Sequence, residues 1–112
     1  MTPVCALADL DVETGVTALV EGEAVAVFRT YRGDVFALSN YDPFSHASVL
    51  ARGIVGTRSV QDREVDFVAS PIYKQGFDLR TGQCLDDATV AVATYTVVVE
   101  GGTVFVGEKS AG

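Results

Sequence analysis

The chain has 112 residues, of which 48% are hydrophobic and 21% charged, and its formal net charge is −7. That length is enough for one domain with its own core, and that balance excludes a disordered chain. No apolar run approaches the roughly 20 residues of a membrane-spanning helix. The eight Lys and Arg residues are scattered and outnumbered by 15 Asp and Glu, which argues against nucleic acid or anionic membrane as a partner.

Residues 1–11 lack the basic-then-apolar order of a secretory leader and carry Asp9 and Asp11, so a cytoplasmic protein is expected. Cys5 and Cys84 stand far apart in no metal-binding spacing, and they read as free thiols in a reducing compartment. Residues 6–15 have room for a helical turn. After that, β-branched stretches at 16–20, 24–31, 35–39, 65–69, 92–100 and 103–106 alternate with turn signals. Val65, Phe67 and Ala69 are expected on one face and Asp66 on the other. The pair Gly101-Gly102 suits a two-residue hairpin turn, because glycine takes positive φ without steric cost. Short strands at this spacing predict an all-β antiparallel sandwich or barrel without a long helix. The domain is expected over residues 4–107, with a loose tail at 108–112.

Two segments interrupt the strand rhythm. Residues 40–53 read NYDPFSHASVLARG, and residues 70–82 read SPIYKQGFDLRTG. Both contain proline and glycine, and loops held by a β scaffold are where function concentrates. His46, the lone histidine of the chain, lies in the first. Asp86 and Asp87 read as solvated turn carboxylates. Ser70 as a nucleophile would need a histidine within reach and an acid behind it, and His46 is the sole candidate for the first.

The second segment resembles a ligand loop of the Rieske iron–sulfur domains, C-P-x-H followed by F-D-x-x-T-G. Ser70 stands at the cysteine place, then Pro71, with Tyr73 at the histidine place, and Phe77, Asp78, Thr81 and Gly82 follow without a gap. The first segment resembles the other ligand loop, C-P-H. Asp42-Pro43-Phe44 matches it with one extra residue before Leu50 and Gly53, whereas an ungapped match puts Pro43 and Ser45 on the ligand places. Neither alignment supplies the ligands. A Rieske cluster needs two thiolates and two imidazoles, and a histidine count of one cannot supply them.

The runs Asn40 to Phe44, Ser48 to Gly53, and Ala69-Ser70-Pro71 with Lys74-Gln75 and Phe77 are together similar to one subgroup. It is the family of small subunits of the NAD(P)H-dependent, sirohaem-containing nitrite reductase, and the resemblance extends from about Val4 to Val106. It implies a Rieske-like fold with a small loop subdomain where a cluster would sit. It also implies a large subunit that carries FAD, a [4Fe–4S] cluster and sirohaem and reduces nitrite to ammonium. This chain is then a subunit of an oxidoreductase, not catalytic alone, with no cofactor or metal of its own. The degenerate ligand places are Asp42, Phe44, Ser70 and Tyr73. The expected contact with the large subunit is the loop tip, Phe44, Ser45, His46, Tyr73 and Lys74. Two other readings are a cluster-free Rieske-like module serving another oxidoreductase, and a Rieske-type electron-transfer ferredoxin, which the ligand places oppose.

Overall fold

The structure, a computed structural model, describes residues 1–110. Its strands in chain order are β1 (Thr2–Ala6), β2 (Thr14–Val20), β3 (Glu23–Arg29), β4 (Val35–Ser39), β5 (Tyr41–Asp42), β6 (Ala47–Ser48), β7 (Ile54–Val60), β8 (Arg63–Ala69), β9 (Gly76–Asp78), β10 (Thr94–Glu100) and β11 (Thr103–Lys109). Two short 3-10 turns, Leu7–Asp9 and Leu50–Arg52, are the only helical elements among the described residues. The first falls in the stretch where a helical turn was expected. No helix among the described residues is long and apolar enough to cross a membrane.

All pairings are antiparallel. Six strands form one sheet in the order β1-β11-β10-β4-β3-β2, and its edge strands β1 and β2 approach each other, so the sheet curls nearly closed. The strands β7-β8-β9 form a second sheet, and β5-β6 a minimal hairpin. Strand β3 shows why the sequence folds this way. Its run Ala-Val-Ala-Val-Phe is apolar at every position because both faces are covered. Val25 and Val27 point into the curled sheet with Leu10, Val20, Tyr95, Val104 and Val106. Ala26 and Phe28 point the other way, into a second core with Leu38, Leu50, Val55, Val68, Phe77 and Leu79 that joins the two sheets.

Three hairpins turn on two residues with positive φ: Glu21-Gly22, Gln61-Asp62 and Gly101-Gly102. That turn matches the right-handed strand twist, and the Gly101-Gly102 pair does as its sequence predicts. Three expectations need correction. Strands β1, β5, β6, β7 and β9 were not read from the sequence. Strand β10 starts at Thr94, not residue 92. In β8, Val65 is buried on the face it shares with Phe67, Asp66 and Val68 are buried on the other, and the Phe67 ring lies beneath the Arg58 guanidinium at 4.9 Å. The tail is ordered further than expected: β11 runs to Lys109 and the Ser110 N–H donates to the Thr94 carbonyl, at 2.7 Å. The rest of that expected tail, 111–112, lies outside the described residues.

Candidate functional site

The two interrupted segments meet at the open end of the β7–β8 hairpin, where Ile54 pairs with Ala69 and away from the turn at Gln61-Asp62. Each begins with a residue before proline, where extended backbone is favoured. Each then makes the same turn. In the first loop the His46 N–H donates to the Asp42 carbonyl at 2.9 Å, and in the second the Lys74 N–H donates to the Ser70 carbonyl at 3.1 Å. His46 and Lys74 close their loops with left-handed backbone, φ 58° and 68°. The side chain at each loop head also accepts from the N–H two residues on: Asp42 Oδ1 from Phe44 at 2.9 Å, and Ser70 Oγ from Ile72 at 3.3 Å. Residues 42–46 and 70–74 are therefore conformational repeats.

The two heads bond to each other. Ser70 Oγ donates to Asp42 Oδ2 at 2.5 Å, and Ser45 Oγ donates to the same oxygen at 2.8 Å. Asp42 and Ser70 are both 0% exposed. Burial pushes the Asp42 carboxyl up, but the hydrogen bonds from Ser70, Phe44 and Ser45 outweigh it and hold the group below the ordinary carboxylate value. A buried charge is tolerable only when satisfied in this way.

The surrounding side chains fix both loops from outside. Asn40, buried, accepts the Ala51 N–H on its side-chain oxygen at 2.8 Å. Phe44 is half-buried and packs on Phe77, ring centroids 6.1 Å apart. Asp86 Oδ2 accepts the Gly76 N–H at 2.8 Å and its other oxygen pairs with Arg58 at 3.2 Å. The Gly76 N–H, opposed by burial and aided by Arg58, holds Asp86 below its ordinary value. Asp87 accepts from the N–H and hydroxyl of Thr89. These two carboxylates, read from the sequence as merely solvated, are turn-building groups.

The expected site residues separate into two kinds. Asp42, Ser70, Phe44 and Ser45 face inward. His46, Tyr73 and Lys74 are exposed. Tyr41 and Ile72, which the sequence reading passed over, are exposed beside them at 43% and 46%, and the Tyr41 hydroxyl lies 2.8 Å from His46 Nδ1. The missed signal was the position of both within the loop segments.

The donor set does not fit a [2Fe–2S] cluster. The groups nearest a first iron would be a carboxylate and a hydroxyl, and they are bonded to each other. The second iron would meet an aromatic ring or a hydroxyl, with no pair of imidazoles. Cys5 sits in β1, and Cys84 is buried where it bridges Phe77, so neither belongs to the loops. Ser70 also has no imidazole partner and is sealed from solvent, which removes it as a nucleophile.

A nearly closed antiparallel sheet carrying two proline-headed loops defines a Rieske-like domain, and the family described as Rieske-like [2Fe–2S] domain matches residues 1–107. The nitrite reductase (NADH) small subunit of Salmonella typhimurium is 44% identical over 102 residues, covering 90% of this chain and 91% of that one. The solved nitrite reductase [NAD(P)H] small subunit of Erwinia carotovora is 43% identical, covers 99% of this chain and 83% of its own, and superposes with a TM-score of 0.74. Within the Rieske-like domains, this chain belongs to the nitrite reductase small-subunit family. The nitrite reductase [NAD(P)H] large subunit of Klebsiella oxytoca is also similar, 37% identical over 107 residues, which cover 93% of this chain but 11% of that protein. That large subunit thus carries a module of this kind within its own polypeptide.

Proposed function

We propose that this chain is the cytoplasmic small subunit of an NADH-dependent nitrite reductase, and that it works by docking on the large subunit, without an iron–sulfur cluster of its own. The observation that carries the reading is the similarity to the Salmonella subunit, which spans nine-tenths of both chains. FAD, [4Fe–4S] and sirohaem chemistry, and the reduction of nitrite to ammonium, belong in this reading to the large subunit. The Klebsiella chain supports a direct contact, since a module built into a large subunit stays beside it.

The docking surface in this reading is the loop tip. Phe44 and Ser45 support it from within, while Tyr41, His46, Ile72, Tyr73 and Lys74 form its outer face. Aromatic side chains bury much area at low rotamer cost and are favoured at interface centres. Charge favours the same end. Between Val35 and Gln61 the sole carboxylate is Asp42, and between Phe67 and Phe77 there is none. Arg52 and Lys74 in the two loops make no ion pair with a carboxylate among the described residues. A chain of net charge −7 therefore presents its least acidic end here, suited to a carboxylate-bearing surface on the large subunit.

The test is co-purification of the large subunit with the parent chain and with Tyr73→Ala and Lys74→Glu, each first shown to melt like the parent. The expected result is retention by the parent, with weaker retention and weaker nitrite-dependent NADH oxidation for both variants. Retention and turnover equal to the parent for both would move the interface to the open sheet faces. A parent chain that retains no large subunit would overturn the reading itself.

A further inference from the structure

The loops at the tip are repeats of one turn, and a single hydrogen bond joins their heads. Among the described residues, Ser70 Oγ to Asp42 Oδ2 is the sole hydrogen bond between residues 41–49 and 70–75. The oxygens of Asp42 divide the work. Oδ1 closes its own loop through the Phe44 N–H, and Oδ2 takes one hydroxyl from its own loop and one from the other. A shift of one loop against the other that keeps Asp42 buried would leave its carboxylate with intra-loop donors alone, and a buried charge that loses a donor is costly. The bond also joins residues 28 apart in sequence, which local turn chemistry does not bring together.

We infer that Asp42 and Ser70 form a clasp that sets the two loops against each other, and that docking of the large subunit depends on it although neither side chain reaches the surface. The inference rests on the docking reading above and adds what positions the docking residues. Tyr41 and His46 ride on one loop, and Ile72, Tyr73 and Lys74 on the other. Their relative placement is fixed only if the loops are fixed. Asp42 and Ser70 are positioning residues in this scheme, and they occupy the places where two cysteines would tie a cluster to both loops.

The experiment uses the full chain and the large subunit, with Asp42→Asn, Ser70→Ala and the double variant. Ser70→Cys, which nearly keeps the side-chain volume and weakens the donor, serves as a milder step. Val55→Ala, which lies in the core between the sheets, matches the loss of stability without touching the clasp. Two readouts are taken at a temperature where every variant is folded: affinity for the large subunit, and amide hydrogen exchange of the free chain. The expected result is a loss of affinity of about tenfold for each single variant and no further loss in the double. Ser70→Cys should fall between parent and Ser70→Ala, and Val55→Ala should bind like the parent. Exchange should quicken in residues 41–48 and 70–75 of the clasp variants and not elsewhere. Parent-like affinity in the single variants, additive losses in the double, or an equal loss in Val55→Ala would overturn the inference. If the parent itself does not bind, the docking reading fails, and hydrogen exchange alone then decides whether the clasp holds the loops.

Discussion

Phe77→Ala tests how the loops are anchored to the domain. Phe77 is 0% exposed, and it sits in β9 opposite Val68 of β8, in the core that joins the two sheets. Truncating a buried phenylalanine costs ~3–5 kcal/mol, with the spread set by how far the site collapses. Here one neighbour can move. Phe44 is half-buried on a loop, and its ring is 6.1 Å from that of Phe77. Partial filling by Phe44 places the cost near the lower end, ~3 kcal/mol, equivalent to a fall in Tm of roughly 12 °C at ~4 °C per kcal/mol for a chain of this size. Phe44→Ala should cost less than Phe77→Ala because its ring already meets solvent. The double variant should show a coupling of about 0.5–1.5 kcal/mol from the lost aromatic pair. Urea unfolding of the four proteins gives these differences directly. A loss below ~1 kcal/mol for Phe77→Ala would show that the second loop is not anchored by this ring.

Other consequences follow from backbone and charge. Gly82 has φ +77°, and a Cβ there would lie 2.0 Å from the Val92 carbonyl oxygen, so Gly82→Ala should lower the Tm steeply and Gly82→Val should abolish folding; a parent-like melt for Gly82→Ala would refute that packing. Acid should loosen the tip. Asp42 and Asp86 are held below their ordinary values, so the stability they contribute is fully present above the unfolded value near ~4 and is lost as pH falls through their folded values. Melting from pH 7 to pH 2 should show a decline below about pH 4 that is shallower in Asp42→Asn, a variant less stable than the parent at pH 7; identical slopes would remove Asp42 from the acid response.

Much of the fold was legible because β-branched runs mark strands wherever both their faces are covered, as in β3. Strand β1 was hidden by Pro3 and by the register shift between Pro3 and Cys5, which break the strand signal at a sheet edge. Strand β7 was hidden by Gly56, which sits under the Phe67 ring, where a Cβ would lie 3.2 Å from it and crowd it, and not in a turn. The faces of β8 were legible from its alternation, but not that Asp66 is buried, accepting from the Thr57 hydroxyl at 3.2 Å while its backbone carbonyl takes the Leu79 N–H. At the site, the places of Asp42 and Ser70 were legible from the proline that follows each. Their bond was not, because it depends on bringing residues 28 apart to the same end of the molecule. The outward turn of Tyr41 was out of reach, since a minimal hairpin fixes no face in advance of tertiary packing.

We propose that a carboxylate and a hydroxyl hold these loops in place of iron. It is tested most directly by producing the chain alongside an intact cluster-assembly system and measuring iron together with the electron paramagnetic resonance of the dithionite-reduced protein. The account predicts a colourless protein with iron far below stoichiometric and no signal from a reduced cluster. Two irons per chain with the signature of imidazole coordination would contradict it.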